Sequence, residues 1–143
     1  MKPKMAYFQV YPGFDPGVIK FAVDNGTKAI IIQGYHSGTA CVEGEYDITP
    51  SLEYAKEKNI PVFLIFGFSP FDEDCAVGYS HFEKGKKGGY LSSQKMVEAG
   101  IVPLRANWQN DLDVVKSLQE ILAETEERGE LVRRMTEKYA FDS

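Results

Sequence analysis

An α/β domain, built as three α/β/α layers around a mainly parallel sheet of about four strands, is the fold class this sequence predicts. Three observations point to it. The runs "AIII" at 29–32 and "PVFLIF" at 61–66 are apolar without alternation, as strands buried on both faces of a parallel sheet are. Segments with helical spacing separate the strand-like runs, so strand and helix alternate four times. Pro, Gly and Asn stand at the joints, where turns and helix ends need them. Right-handed crossovers would then cover both faces of the sheet. At 143 residues, with no linker or internal repeat, the chain is read as one domain over 1–143.

The elements follow in order. Residues 5–11, "MAYFQVY", form a β-rich run that stops at Pro12-Gly13, as a strand feeding a turn does. Asp15 offers a cap, Pro16 suits the first helical position, Val18, Ile19, Ala22 and Val23 share a face, and Gly26 is a stop. Residues 28–33 are the second strand. Thr49 and Pro50 repeat the cap-and-proline start, Leu52 and Ala55 mark the apolar side, and Asn59 suits a left-handed helix end. The third strand covers 61–66, and residues 67–90 have no period and are rich in Gly, Ser and charge. Ser92 or Ser93 caps a short helix running through Met96 and Val97 to Gly100, and 101–104 is a fourth strand. Leu112, Val115, Leu118, Ile121 and Leu122 then recur at helical spacing, and Leu131, Val132 and Met135 mark a last helix.

Composition excludes several classes of function. The chain is 43% hydrophobic and 26% charged, an ordinary globular balance, and it has neither a long apolar run nor a signal-peptide pattern. A cytoplasmic protein without a membrane role is expected. A net charge of −5 argues against a nucleic-acid surface, the local basic cluster Lys84, Lys86 and Lys87 notwithstanding. Cys41 and Cys75 have no C-x-x-C spacing, so both read as free thiols.

In parallel sheets ligands meet the loops beyond the carboxyl ends of the strands. Here those are Pro12-Gly13, the loop Tyr35, His36, Ser37, Gly38 and Thr39, the segment from Gly67 onward, and the turn around Arg105 to Trp108. Ser37 lacks the G-x-S-x-G elbow, since Tyr35 stands two residues before it. His36 reads as a surface or interface histidine, and a nucleophilic Ser37 with His81 as base requires a geometry that nothing in the sequence supplies. Asp72, Glu73 and Asp74 are consecutive, unlike alternating calcium ligands, so no metal site is read. "GKKGG" at 85–89 lacks the spacing of a phosphate loop, and Gly34 with Gly38 does not complete a dinucleotide fingerprint. No cofactor is therefore expected. Phe66, Phe68, Phe71, Tyr79 and Phe82 read as core or interface packing rather than a ligand wall.

The order of these pieces resembles the carboxyl-terminal domain of the L-asparaginase family, amidohydrolases that release ammonia from asparagine or glutamine. It resembles the bacterial type I enzymes in particular. The resemblance is carried by Tyr11-Pro12-Gly13, by "IIIQGYHSGT" where the family has a G-Y-G-S-G-N-like loop, by "EKNIPVFLI", by Gly88-Gly89-Tyr90 followed by "KMVEAGIV", and loosely by "ERGEL". The D subunit of archaeal glutamyl-tRNA amidotransferase shares this domain. The chain departs from the family in three places. His36 replaces a usual glycine, Phe66-Gly67-Phe68 stands where T-x-C-x-x-G is common, and Ala106-Asn107-Trp108 stands in place of D-M-T.

The family hydrolyses amides with threonines in T-G-G-T and T-D-T strings of an amino-terminal domain, and this sequence contains neither string. No catalytic residue is therefore assigned. The resemblance implies a domain that is inactive alone. It would make subunit contacts, as a homodimer or with an amino-terminal asparaginase domain, and lend Tyr35, His36, Ser37, Gly38 and Thr39 to a site binding a small amino acid. The alternative is a free-standing, non-catalytic binding or scaffold domain.

Overall fold

The computed structural model describes residues 4–34, 40, 42–67 and 91–140, with backbone alone for 91–93. Four strands, β1 (Met5–Gln9), β2 (Ala29–Gln33), β3 (Val62–Phe66) and β4 (Ile101–Asn107), pair in the order β1-β2-β3-β4, all parallel. Among the described residues the helices are α1 (Gly17–Asp24), α2 (Thr49–Glu57), α3 (Leu91–Glu98), α4 (Asp111–Leu122) and α5 (Arg128–Lys138). The expected fold class is observed.

Strand alternation sorts the core into two clusters. Ile30, Ile32, Val62, Leu64 and Ile101 meet Ile19 and Ala22 of α1, Leu52 and Ala55 of α2, and Met96 and Ala99 at the end of α3. The opposite face, Ala29, Ile31, Phe63, Ile65, Leu104 and Ala106, meets Val114, Leu118, Ile121 and Leu122 of α4 and Leu131 and Met135 of α5. Both faces are covered, though not by crossovers alone. A sheet that grows in one direction with crossovers of one hand places every connecting helix on the same side. The second face therefore falls to α4 and α5, which follow the last strand. Central strands β2 and β3 are buried at every position, which is why they carry unbroken apolar runs.

Several ends differ from expectation. Ile48 is the N-cap residue of α2, and Asp47 just before it supplies the capping carboxylate: its Oδ1 accepts from Thr49 N at 2.9 Å and from Thr49 Oγ1 at 2.7 Å. Thr49 is thus the capped residue rather than the cap. Asp15 accepts from Gly17 N at 2.9 Å, but Pro16 holds the N-cap position and α1 starts one residue later than expected; the left-handed stops at Gly26 (φ 93°) and Asn59 (φ 61°) are present. Helix α3 begins at Leu91, so Ser92 and Ser93 fall inside its first turn. Strand β1 is shorter than read, yet Val10 N still donates to Gln33 O at 2.9 Å. Leu112, expected on the buried stripe of α4, is 75% exposed, and Val114 takes the inward position.

Strand β4 is longer than its apolar run suggests. Its pairing jumps from Leu64↔Pro103 to Phe66↔Asn107. Proline has no N–H to give to a ladder, so it belongs on an edge strand or at an irregularity. Pairing resumes beyond the jump, where Trp108 N donates to Phe66 O at 2.9 Å.

Candidate functional site

Side chains alternate along each strand, so the last residue on the α4 face of each strand reaches the same rim. Met5 and Tyr7 pack on that face, and Gln9 continues the series. Gln33 follows Ala29 and Ile31, Gly67 follows Phe63 and Ile65, and Trp108 follows Leu104 and Ala106. Helix α4 starts beside them at Asp111. Gln9, Gln33, Gly67, Trp108 and Asp111 line an open cleft of about 390 Å³, at the carboxyl edge where parallel sheets take ligands.

The floor of the cleft is hydrogen-bonded. The Tyr7 hydroxyl lies 2.9 Å from Oδ2 of Asp111 and 2.7 Å from Oε1 of Gln33. A phenol has a single proton, and the anionic carboxylate is the stronger acceptor. Tyr7 therefore donates to Asp111. The Gln33 carboxamide then presents its NH₂ to the phenol oxygen, an orientation fixed by the network rather than by shape. Burial first, and next the bond to Asp111 and its charge, hold the Tyr7 phenol well above its ordinary pKa, so it remains a donor. Oδ1 of Asp111 accepts from Leu112 N at 2.8 Å.

Trp108 sits on a reciprocal asparagine turn. Asn107 N donates to Asn110 Oδ1 at 2.9 Å, and Gln109 N donates to Asn107 Oδ1 at 2.8 Å. With the Phe66 bond, this fixes the backbone on both sides of an indole that is 44% exposed. The sequence places the turn around Trp108 beyond the carboxyl ends of the strands, and Trp108 lines the cleft there. It does not single out Tyr7, Gln9, Gln33 or Asp111, although their strand parity and the switch from apolar residues to Gln at two strand ends are readable.

A second cleft of about 460 Å³ lies between α4 and α5, lined by Ser117, Glu120, Ile121, Glu124, Arg134, Glu137 and Lys138. It is remote from the strand ends, and Arg134 and Lys138 offset two of its three glutamates, with Arg134 to Glu124 at 2.5 Å. Behind it, Tyr139 donates to Asp113 and lies 2.9 Å from Ser117 Oγ. Burial, then the Asp113 bond, pushes the Tyr139 phenol up to about 12.

The expected loop residues Tyr35, His36, Ser37, Gly38 and Thr39 lie outside the described residues, as do Cys41, Cys75, His81 and the remainder of 68–90. Gly34, from which the loop leaves, is buried, and its N donates to Ile65 O at 3.0 Å. Among the described residues, no group of three or more His, Cys, Asp or Glu could hold a metal ion. No helix of the described residues is long and apolar enough to cross a membrane.

No protein-family model matches the chain. The chain is similar to the D subunit of glutamyl-tRNA(Gln) amidotransferase from Pyrococcus abyssi (28% identical) and Pyrococcus horikoshii (26%), each over 140 residues and 98% of this chain. The corresponding protein from Methanococcus maripaludis is 38% identical over 67 residues, 45% of this chain. The chain spans only 28% of the length of the Pyrococcus relatives. Its fold matches L-asparaginase I from Vibrio cholerae, with TM-score 0.66 and 18% identity over 94% of this chain and 36% of that one. The thermostable L-asparaginase from Thermococcus kodakarensis matches with TM-score 0.64 and 19% identity, over 92% of this chain and 35% of that one. Along nearly its whole length the chain is thus similar to these amidotransferase subunits, and its fold is that of about a third of an L-asparaginase.

Proposed function

We propose that this chain is the small carboxyl-terminal domain of an asparaginase-like amidohydrolase, which hydrolyses the side-chain amide of asparagine or glutamine to the acid and ammonia. It supplies subunit contacts and a substrate-adjacent loop, Tyr35 to Thr39, and is inactive alone. The observation that carries this reading is the disparity of coverage: relatives match 98% of this chain, while the chain spans 28% of them. A hydroxyl nucleophile needs a nearby base and an oxyanion site, and in this reading the rest of the protein provides them. Ser37 then hydrogen-bonds substrate and does not attack it.

The test is ammonia release from asparagine and from glutamine, by the 143-residue chain and by the native protein that contains it. Activity in the native protein alone, with a raised KM in its Ser37→Ala variant, is expected. Hydrolysis by the isolated chain, or unchanged kinetics in the variant, contradicts the reading. A free-standing binding domain is the second reading. It draws support from the rim cleft, which the chain lines with its own residues.

A further inference from the structure

The rim cleft has a one-sided chemistry. Among the described residues that line it, Asp111 is the sole charged one; the others are two glutamines, a glycine and a tryptophan. Asp111 is half-buried, so water screens its charge only in part. Tyr7 and Leu112 N take one lone pair on each carboxylate oxygen, and a carboxylate offers about four acceptor positions. Capacity remains for a further donor. Once Gln33 gives its NH₂ to Tyr7, its carbonyl is an acceptor as well. The half-exposed indole of Trp108 is held by its turn beside this acceptor set, and an aromatic face attracts cations.

We propose that the cleft binds a small organic cation, a primary ammonium group held by Asp111 with its alkyl portion against Trp108. This rests on reading the strand-end edge as the ligand face, as above, but it requires no amidohydrolase activity. The amino end of α4 opposes a cation with roughly half an elementary charge, spread over its first turn. Asp111 brings a full negative charge to the same place, so the cleft is net negative. An anion would meet the carboxylate with no cation lining the described cleft to offset it. At about 390 Å³ the space suits a small molecule.

Trp108 is the chain's single tryptophan, so its fluorescence reports the cleft. Butylammonium chloride, sodium butyrate and butanol are titrated into the 143-residue chain. A saturable change with butylammonium and none with butyrate or butanol is expected. Asp111→Asn should weaken it at least tenfold, while Glu120→Gln in the other cleft leaves it unchanged. Asp111 also contacts Tyr7, so Gln9→Lys serves as a second variant. Gln9 is exposed, and the substituted lysine brings a cation of its own to the cleft, which should abolish the response. No saturable response to butylammonium, equal responses to butylammonium and butanol, or full retention in both variants overturns the proposal. Ammonia release by the native protein is a separate readout, so failure here leaves the proposed function to its own test.

Discussion

Glu127 sets the start of α5 with one side chain: its Oε1 accepts from Gly129 N at 2.9 Å and its Oε2 from Glu130 N at 2.7 Å. These are amide donors that the helix itself leaves unpaired. Glu127→Ala should cost about 0.5–2 kcal/mol, read as a lower urea midpoint with an unchanged slope. Arg133 pairs with Glu130 and Glu137 on the exposed side of the same helix, where solvent screening leaves such surface pairs contributing little. Arg133→Ala should therefore shift the midpoint less than Glu127→Ala. Tyr139 gives a pH dependence. Its pKa is raised in the folded state to about 12, so the stability it confers is complete below the ordinary phenol value near 10 and is lost as pH rises through about 12. Tyrosinate absorbance should show a late component near pH 12 that Tyr139→Phe removes. Ionisation of Tyr139 near pH 10 without loss of stability would contradict the placement.

At the scale of elements, α4 separates burial from periodicity. Leu112 and Leu118 both sit in its apolar pattern, yet Leu112 is 75% exposed and Leu118 is fully buried. Leu118→Ala should destabilise by about 2–5 kcal/mol, and Leu112→Ala by no more than about 0.5 kcal/mol. Equal effects in denaturant melts would show that α4 packs in another rotation. Strands β2 and β3 are legible because strands buried on both faces carry no polar position. The far half of β4 is not, because an edge strand admits Pro103 and Arg105 in its midst. The Asp47 cap escapes the sequence for a related reason: Thr49-Pro50 is itself a cap-like pair, and only the backbone at Ile48 decides which residue lies outside the helix. The rim cleft is half legible. Its Trp108 turn follows from the strand-end rule, whereas the Tyr7–Asp111 bond joins residues 104 apart in sequence, a pairing that no local pattern carries.

For the whole molecule, the one-directional strand order leaves the α4 and α5 layer to residues after β4, and the same residues finish the cleft. Fold and site are thus coupled through the carboxyl-terminal third of the chain. Removal of α5 would take Leu131 and Met135 out of the second-face core and strip α4 and β4 of their contacts with that helix, and a chain ending at residue 123 should lose cooperative thermal unfolding together with any Trp108 response to butylammonium. Retention of both by that truncation would show that α4 alone closes the layer. The proposed function makes its most direct claim about the polypeptide to which the domain belongs. That claim is tested by the mass of the native protein in its source cells, read on an immunoblot with an antibody raised against this 16.0 kDa chain. A band of more than twice that mass is expected for a domain carried by an amidohydrolase, and a band at 16.0 kDa would contradict it.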